Sequence, residues 1–391
     1  MKKIIIILLI LITISIINNS SNDNSNNIIN NKNINTEVRG VFISYIELND
    51  YLKGNSYEVS YKNIDRMINN IKRMKFNTII LQVRSNCDSI YNSNIFPTSL
   101  YLVDNEEDNY FDVLDYFIKE SHKNNIKVFA WINPYRIRTT SDTSTISNKS
   151  PSYKYLNTDT IYINNGIYFN PSKEEVTKLI LDGVLEVLNY DVDGILFDDY
   201  FYPSNDIDIN DYNEYIKNNN YISIEDYHLN VINNMILKVH KLCKDKNILF
   251  GISPDGNIDN NYNKNYADVR RWMSSSDYID FIMPQLYYGF YNTTRGFYKV
   301  SREWNDLLKN KDIKLYIALA FYKIGRVDNY ARDGINEWLE NDNIIMREVI
   351  ISRNLDNYNG FSLFRYDSIF NTSNYTTNSI KEIENMKKVV N

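Results

Sequence analysis

The feature that most constrains the fold of this 391-residue chain is a regular alternation of two kinds of segment. Apolar runs of strand length recur eight times, and several are apolar at every position, which suits parallel strands buried on both faces. Between them lie stretches with apolar residues at steps of three and four, as in amphipathic helices. The eight runs are 38–45, 77–83, 127–134, 193–200, 248–254, 278–288, 314–322 and 359–366.

Eight strands, each followed by a helix, predict an α/β fold of the (β/α)8 TIM-barrel class. A doubly wound open sheet is the alternative, but that fold requires a glycine-rich phosphate-binding turn after the first strand, and none is visible there. In a TIM barrel the chemistry lies at the carboxyl ends of the strands. The residues that close each strand are therefore the candidates for a functional site.

The first 36 residues are predicted to lie outside the barrel. Lys2 and Lys3 precede an apolar run over 4–17, which fits a signal peptide or N-terminal membrane anchor at residues 1–18. Residues 19–36 are rich in Asn and Ser without periodicity and predict a linker, which leaves 37–391 for the barrel. We therefore expect an exported protein, extracellular or anchored at the outer face of the cytoplasmic membrane, that meets the membrane only through this segment.

Composition excludes several functional classes. The chain carries 43 Lys and Arg against 49 Asp and Glu, a net charge of -6, so no basic surface for nucleic acid is expected. Two cysteines and three histidines are too few for a zinc cage, and no His-x-His motif is present. We therefore expect no metal and no cofactor in the site, which disfavours a metal-dependent deacetylase.

The strongest chemical signal follows the fourth predicted strand. Asp198 and Asp199 come directly after an apolar run and have aromatic residues on both sides. Two adjacent carboxylates are costly to bury, and crowding raises the pKa of at least one of them. A helix N-cap or a solvated loop edge is the structural alternative. We expect the pair to be catalytic, as an acid/base or polarising pair in a sugar-binding site.

Polar and aromatic side chains close the neighbouring strands as well. Arg84 is suited to hold sugar or carboxylate oxygens and Asp88 to bind hydroxyls, although an internal Arg84–Asp88 pair that shapes the loop explains them equally well. The other candidates for substrate binding offer hydrogen-bonding groups or rings that stack on sugar faces. They are Asn133, Tyr135, Tyr200, Asp255, Gln285 and Tyr287.

Several short motifs occur in an order that resembles a known family. They are RGVFI (39–43), FNTIILQVR (76–84), AWINPYR (130–136), DGILFDDYFYP (193–203), GISP (251–254) and MPQLYY (283–288). Over about residues 37–370 the chain resembles the glycosyl-hydrolase-like family ten group of secreted and envelope bacterial proteins. The resemblance implies a TIM-barrel glycosidase, with members linked to cleavage of peptidoglycan glycan strands. By motif match it implies a site that includes Arg84, Asp88, Asn133, Arg136, Asp198, Asp199, Gln285 and Tyr287.

The expected function is therefore a glycoside hydrolase whose partner is a polysaccharide, with peptidoglycan glycan strands as the expected substrate. Their 2-acetamido groups suggest a substrate-assisted retaining mechanism, in which Asp198 polarises the acetamide and Asp199 protonates the glycosidic oxygen. A conventional mechanism with Asp198 as nucleophile and Asp255 or Asp88 as its partner is the rival. A non-catalytic glycan-binding protein on the same barrel, or a hydrolase of another extracellular polysaccharide, is the alternative function.

Overall fold

The computed structural model describes residues 36–390. A compact unit begins at Val38 and contains every strand of the chain that the structure describes. The predicted signal peptide or anchor at 1–18 and residues 19–35 of the predicted linker fall outside the described residues. None of the helices within 36–390 combines the length and the apolar character that a membrane crossing requires.

Eight parallel strands close into a barrel, in which each strand pairs with its neighbours in sequence and the first pairs with the last. This arrangement is a TIM barrel and confirms the predicted fold class. The strands are β1 (Val38–Ile43), β2 (Thr78–Arg84), β3 (Lys127–Ile132), β4 (Gly194–Phe197), β5 (Leu249–Ile252), β6 (Phe281–Ile282), β7 (Lys314–Leu319) and β8 (Tyr358–Leu363).

Helices follow the strands and cover the outside of the barrel. In the helix Tyr57–Arg73 the buried residues include Ile64, Met67, Ile68 and Ile71, whose steps of three and four place them on one face. A small antiparallel sheet of three short strands, Arg136–Arg138, Ile161–Ile163 and Ile167–Phe169, extends the connection after β3. The helices are α1 (Tyr45–Tyr51), α2 (Tyr57–Arg73), α3 (Val113–Lys123), α4 (Glu174–Val187), α5 (Ile209–Asn218), α6 (Ile224–Asp245), α7 (Ile258–Asn263), α8 (Val269–Trp272), α9 (Phe297–Leu307), α10 (Glu337–Glu340), α11 (Ile344–Ser352), α12 (Tyr366–Phe370) and α13 (Thr377–Val390).

The inside of the barrel is filled by large apolar side chains. Because successive side chains of a strand point to opposite faces, alternate residues of each strand face inward and the others pack against the helices. The inward cluster consists of Phe42, Ile80, Phe129, Trp131, Leu196, Phe281, Met283, Tyr316 and Ala318. These side chains form a solid floor beneath the carboxyl ends of the strands.

Candidate active site

A polar layer lies on the aromatic floor at the carboxyl ends of the strands. It arises because the inward-facing alternation continues past the apolar cluster into polar residues. In each case a polar residue stands two positions after an inward-facing apolar one. The polar residues are Ser44 after Phe42, Gln82 after Ile80, Asn133 after Trp131, Asp198 after Leu196 and Gln285 after Met283.

A cavity of about 200 Å³ opens above this floor. Its walls come from the ends of seven strands, all except β7, and it contains both members of the predicted carboxylate pair. Asp198 and Asp199 are the carboxylates among its lining residues. The lining consists of Phe42, Ser44, Tyr45, Ile46, Gln82, Trp131, Arg136, Leu196, Asp198, Asp199, Tyr200, Ser253, Gln285, Tyr287 and Phe364.

Asp198 is the deeper carboxylate, with 4% of its surface exposed. It receives N–H donors from the indole of Trp131 (3.1 Å), the side-chain amide of Asn133 and the backbone of Tyr200 (3.4 Å). Burial raises the pKa of Asp198, while the nearby guanidinium of Arg136 and these donors oppose that rise. The site therefore surrounds Asp198 with groups that favour its ionised form.

Asp199 lies just past the strand, where the chain turns and brings a second consecutive side chain toward the cavity. One side chain donates to it, the amide of Gln285, at 3.2 Å from Oδ1. Burial raises the pKa of Asp199, and the negative charges of Asp198 and Asp255 raise it further. The two neighbouring carboxylates thus differ in electrostatic surroundings, which is the condition for dividing acid and base roles between them.

The structure brings five of the predicted binding residues to this pair. Asn133 and Gln285 each donate to one of the carboxylates. Arg136 and Tyr200 lie at the rim, with the guanidinium 5.7 Å from the ring centroid, and the Tyr200 side chain is 57% exposed. Tyr287 lines the opposite wall, where its ring packs edge-on against Tyr322 at 6.0 Å.

Arg84 and Asp88 do not line the cavity. The register between β2 and β3 shifts after Gln82, so the side chain of Arg84 turns outward to the helical layer. Its guanidinium is 2% exposed, lies 3.7 Å from the ring centroid of Phe96 and packs against Gly183 of α4. Asp88 binds Ser99 and the backbone of Asn86 within its own loop (2.7 and 3.1 Å). Within residues 36–390 no ion pair joins Arg84 to Asp88.

Tyr135 and Asp255 also lie outside the cavity lining. Tyr135 is buried in the core cluster between barrel and helices, because β3 ends at Ile132 and the alternation that would turn Tyr135 inward does not continue past the strand. Asp255 accepts from the backbone of Asn257 (2.8 Å) and the side chain of Asn260 (3.1 Å), which shapes the turn after β5. Asp255 therefore acts on Asp199 through its charge from outside the cavity.

Sequence reasoning missed several residues of the site. Gln82, Trp131 and Phe364 line the cavity, and Gln82 belongs to a hydrogen-bonded chain that reaches Asp198. Strand alternation could have revealed Gln82. It stands two residues after inward-facing Ile80 in an otherwise apolar run, so its side chain must also face inward. Among the described residues, no group of three or more His, Cys, Asp or Glu side chains is arranged to hold a metal ion.

A family model described as glycosyl hydrolase-like 10 matches residues 37–334. The chain belongs to this family. Glycosyl hydrolase YngK of Bacillus subtilis (strain 168) is 28% identical over 320 residues, which are 75% of this chain and 62% of the relative. Glycosyl hydrolase DigH of Escherichia coli (strain K12) is 28% identical over 335 residues, which are 78% of this chain and 75% of the relative. The chain thus spans less than two thirds of the Bacillus relative.

Solved structures of carbohydrate-active barrels share the fold of this family member. The catalytic domain of β-amylase from Paenibacillus polymyxa superposes with a TM-score of 0.56 at 10% identity, covering 91% of this chain and 99% of that one. The PgaB (BpsB) glycoside hydrolase domain from Bordetella bronchiseptica gives 0.53 at 12% identity, covering 89% and 98%. At these identities the likeness concerns the fold, and the chain is a glycosyl hydrolase-like TIM barrel.

Proposed function

We propose that this protein is a glycosidase that hydrolyses cell-wall glycan, with peptidoglycan glycan strands and their N-acetylated amino sugars as the substrate. The observation that carries the proposal is the pair of unlike carboxylates, Asp198 and Asp199, in one small cavity at the barrel mouth. A volume of about 200 Å³ suits a single sugar residue. The relatives named glycosyl hydrolases support the reaction class.

The two carboxylates have separate roles in the proposed mechanism. Ionised Asp198 accepts the acetamide N–H of the bound sugar and increases the nucleophilicity of the acetamide oxygen. That oxygen attacks C1 of the same sugar while the C1–O bond to the leaving sugar breaks and Asp199 transfers its proton to the leaving oxygen. Water then adds to C1 of the resulting cyclic oxazolinium ion, gives one proton back to Asp199 and restores the acetamide with retained configuration.

The floor of the cavity supports recognition of an acetamido group. The rings of Phe42, Trp131 and Phe364 lie within 5.5–6.4 Å of one another by centroid distance, next to Asp198. An acetamide presents an N–H and a methyl group, and this wall offers a carboxylate for the first and apolar rings for the second. The indole N–H of Trp131 donates to Asp198, and this hydrogen bond holds the ring next to the carboxylate.

The same geometry gives little support to the conventional mechanism with two separated carboxylates. Its candidate partners for Asp198 were Asp88 and Asp255, and both are engaged by hydrogen bonds within their own loops. A substrate analogue whose acetamide oxygen is replaced by sulfur tests the choice. Slower hydrolysis of the analogue, with an unchanged rate for a matched change at another substituent, supports assistance by the acetamide, and equal rates favour the rival.

The proposed substrate also agrees with the proposed location. The N-terminal segment favours export, and peptidoglycan lies outside the cytoplasmic membrane. We therefore place the protein at the outer face of that membrane or beyond it, with contact to the membrane only through residues 1–18.

Digestion of purified glycan strands by the full chain tests the function directly. Strands with and without stem peptides are incubated with the parent and with Asp198→Asn, Asp199→Asn and Asp206→Asn, and the products are read by mass spectrometry. Asp206 is an exposed carboxylate on the same loop, so its variant is the matched control. We expect new saccharide ends from the parent and the control and a loss of about 10²–10⁴-fold in the other two. Release from no substrate overturns the proposal and favours a glycan-binding protein. Full activity of Asp199→Asn leaves a glycosidase but overturns the role proposed for Asp199.

A further inference from the structure

A chain of side-chain amides runs across the barrel mouth and ends on Asp198. Gln82 of β2 is 1% exposed and accepts the backbone N–H of Tyr45 on Oε1, at 3.1 Å. Its Nε2 donates to Oδ1 of Asn133 at 2.6 Å, and Nδ2 of Asn133 donates to Oδ2 of Asp198. The ends of four strands, β1 to β4, are thereby connected through one hydrogen-bonded path.

The direction of this path is fixed by groups that can only donate. A backbone N–H can donate a hydrogen bond but cannot accept one. The atom of Gln82 that faces the N–H of Tyr45 must therefore be the oxygen, and the nitrogen must face Asn133. The guanidinium of Arg136 also only donates, and it lies 3.4 Å from the same Oδ1 of Asn133. Both constraints turn the nitrogen of Asn133 toward Asp198, so this amide favours the ionised carboxylate.

The amide beside the second carboxylate has a fixed direction as well, but its effect is weaker. Nε2 of Gln285 donates to the backbone carbonyl of Ser253 at 3.0 Å. The same nitrogen also donates to Oδ1 of Asp199, at 3.2 Å. Asp198 therefore receives two side-chain donors and a backbone donor, whereas Asp199 receives one side-chain donor, Gln285, and its own backbone N–H. A proton on the pair is more stable on Asp199 because fewer donors compete with it there.

We propose that Gln82 is a positioning residue that holds Asn133 in the orientation required to keep Asp198 ionised, and so assigns the proton of the pair to Asp199. The catalytic meaning of this assignment rests on the proposed function, but the placement of the proton does not. The other charged or titratable groups that face the pair are Arg136, Asp255, Tyr200 and Tyr287. Within residues 36–390 no hydrogen bond joins any of them to Gln82, whereas Gln82 donates directly to Asn133, so a change at Gln82 reaches the pair through Asn133.

Two substitutions of nearly equal size separate hydrogen bonding from packing. Gln82→Met keeps the volume and removes both the acceptor for Tyr45 and the donor for Asn133. Gln82→Glu keeps the acceptor and supplies a donor only while its carboxyl is protonated. Thr78→Val, at a buried threonine of the same strand that lies outside the cavity, is the matched control.

The first measurement is a ¹³C NMR titration of aspartate carboxyl carbons in the full chain, with the Asp198 signal assigned from Asp198→Asn. We expect the midpoint of Asp198 to rise by about one pH unit in Gln82→Met, since a hydrogen bond to a charged group is lost. Thr78→Val should leave it unchanged. An identical Asp198 midpoint in the parent and Gln82→Met overturns the inference, and this readout does not depend on any turnover.

The second measurement compares kcat and KM on glycan strands across pH, each variant relative to the parent at the same pH. Gln82→Met should lower kcat by about 10- to 100-fold with little change in KM, the usual scale for a group that orients a catalytic residue. The loss should be greatest at acid pH, where the raised pKa leaves Asp198 protonated. Gln82→Glu should approach the parent at acid pH, where its carboxyl O–H donates to Asn133, and lose activity as pH rises. Parallel profiles for the two variants contradict the proposed role. A parent without turnover refutes the proposed function alone, because the titration still decides the role of Gln82.

Discussion

At the scale of single residues, the titration of Asp199 depends on carboxylates that surround it. Burial, together with the charges of Asp198 and Asp255, raises the pKa of Asp199 to about 7. The proposed general acid must be protonated, so activity should fall as pH rises through this pKa. Replacing Asp255 by Asn removes one negative charge, which should lower the pKa of Asp199 and move the alkaline limb of the kcat/KM profile down by about 0.5 pH unit.

A second carboxylate on the same segment provides the control for that shift. Asp259 carries the same charge but is exposed and paired with Arg270 at 3.0 Å. Asp259→Asn should therefore leave the alkaline limb in place. An equal displacement in both variants would mean that net charge, rather than the position of Asp255, sets the pKa of Asp199.

Arg84 and Arg136 both stand near the end of a strand in the sequence, but replacing each by Met should affect kcat/KM differently. Arg136 lies in the cavity wall and lowers the pKa of Asp198 by its charge, whereas Arg84 packs against Phe96 outside the barrel wall. Arg136→Met should raise the pKa of Asp198, shift the acid limb of the kcat/KM profile upward and reduce activity about 10-fold or more. Arg84→Met should leave kcat/KM of the folded protein within about 2-fold of the parent. Steady-state kinetics across pH, with circular dichroism to verify folding, compares the two, and equal losses would contradict the outward placement of Arg84.

At the scale of elements, the order of strands and helices could be predicted from the sequence but the strand ends could not. Each of the eight apolar runs overlaps one barrel strand, with β2 and β8 extending one residue beyond their runs, to Arg84 and from Tyr358. The run at 278–288 contains a strand of only Phe281–Ile282, because the residues after it are buried in the barrel mouth without pairing as a regular strand. Burial makes a sequence apolar whether or not its backbone is paired in a sheet, so apolar character overestimates strand length.

The same reasoning explains which site residues the sequence could reveal. Two adjacent acids after a buried strand are visible in any sequence, and alternation from Leu196 places Asp198 inward. Arg84 could not be placed, because a one-residue register shift reverses the face of every later side chain. The role of Gln82 depends on partners from β1 and β3, and contacts between strands are not encoded in local spacing.

The loop after β4 is held by a buried polar cluster behind the carboxylate pair. Tyr202 donates to Oδ2 of Asp208 at 2.7 Å, and His228 of α6 contacts Oδ1 of the same carboxylate at 2.8 Å. Tyr202→Phe should lower the free energy of unfolding by about 1–3 kcal/mol, since a buried charged acceptor loses a partner. Tyr200→Phe, on the same loop but exposed, should change stability by less than about 0.5 kcal/mol. Urea unfolding of both variants measures the difference, and equal effects would show that the cluster does not anchor the loop.

At the scale of the whole molecule, the last helix, α13, packs on α11 with buried glutamates between the two helices. Glu382 of α13 accepts the backbone N–H of Met346 at the start of α11, at 2.8 Å. Glu348 of α11 is fully buried, and neither of its carboxyl oxygens has a hydrogen-bond partner among residues 36–390. Burial raises the pKa of Glu348 well above its usual range and that of Glu382 to about 8, and the charge of Glu382 adds to the shift at Glu348.

These raised pKa values make the stability of the barrel decrease with pH. In the unfolded chain the two carboxyls lose their protons near pH 4.5, whereas in the folded chain they keep them to higher pH. The stabilisation is therefore fully present below pH 4.5 and is lost as pH rises toward the folded pKa of about 8, at about 1.4 kcal/mol per pH unit for each group. Acid conditions should favour the packing of α13 on α11.

Replacing the buried acids by their neutral isosteres should remove this pH dependence. Glu348→Gln and Glu382→Gln should each match the parent near pH 4.5 and exceed its free energy of unfolding at pH 8.5, because no proton has to be retained. For Glu382→Gln the gain should be about 5 kcal/mol, which is about 1.4 kcal/mol for each pH unit between pH 4.5 and about 8. Glu384→Gln, at an exposed position on α13, loses the same charge and should follow the parent at both pH values. Urea titrations at the two pH values measure the effect. Two outcomes would contradict this prediction: a parent that is equally stable at both pH values, or an increase in the free energy of unfolding that Glu384→Gln shares. Either would show that the buried acids do not control the pH dependence of stability.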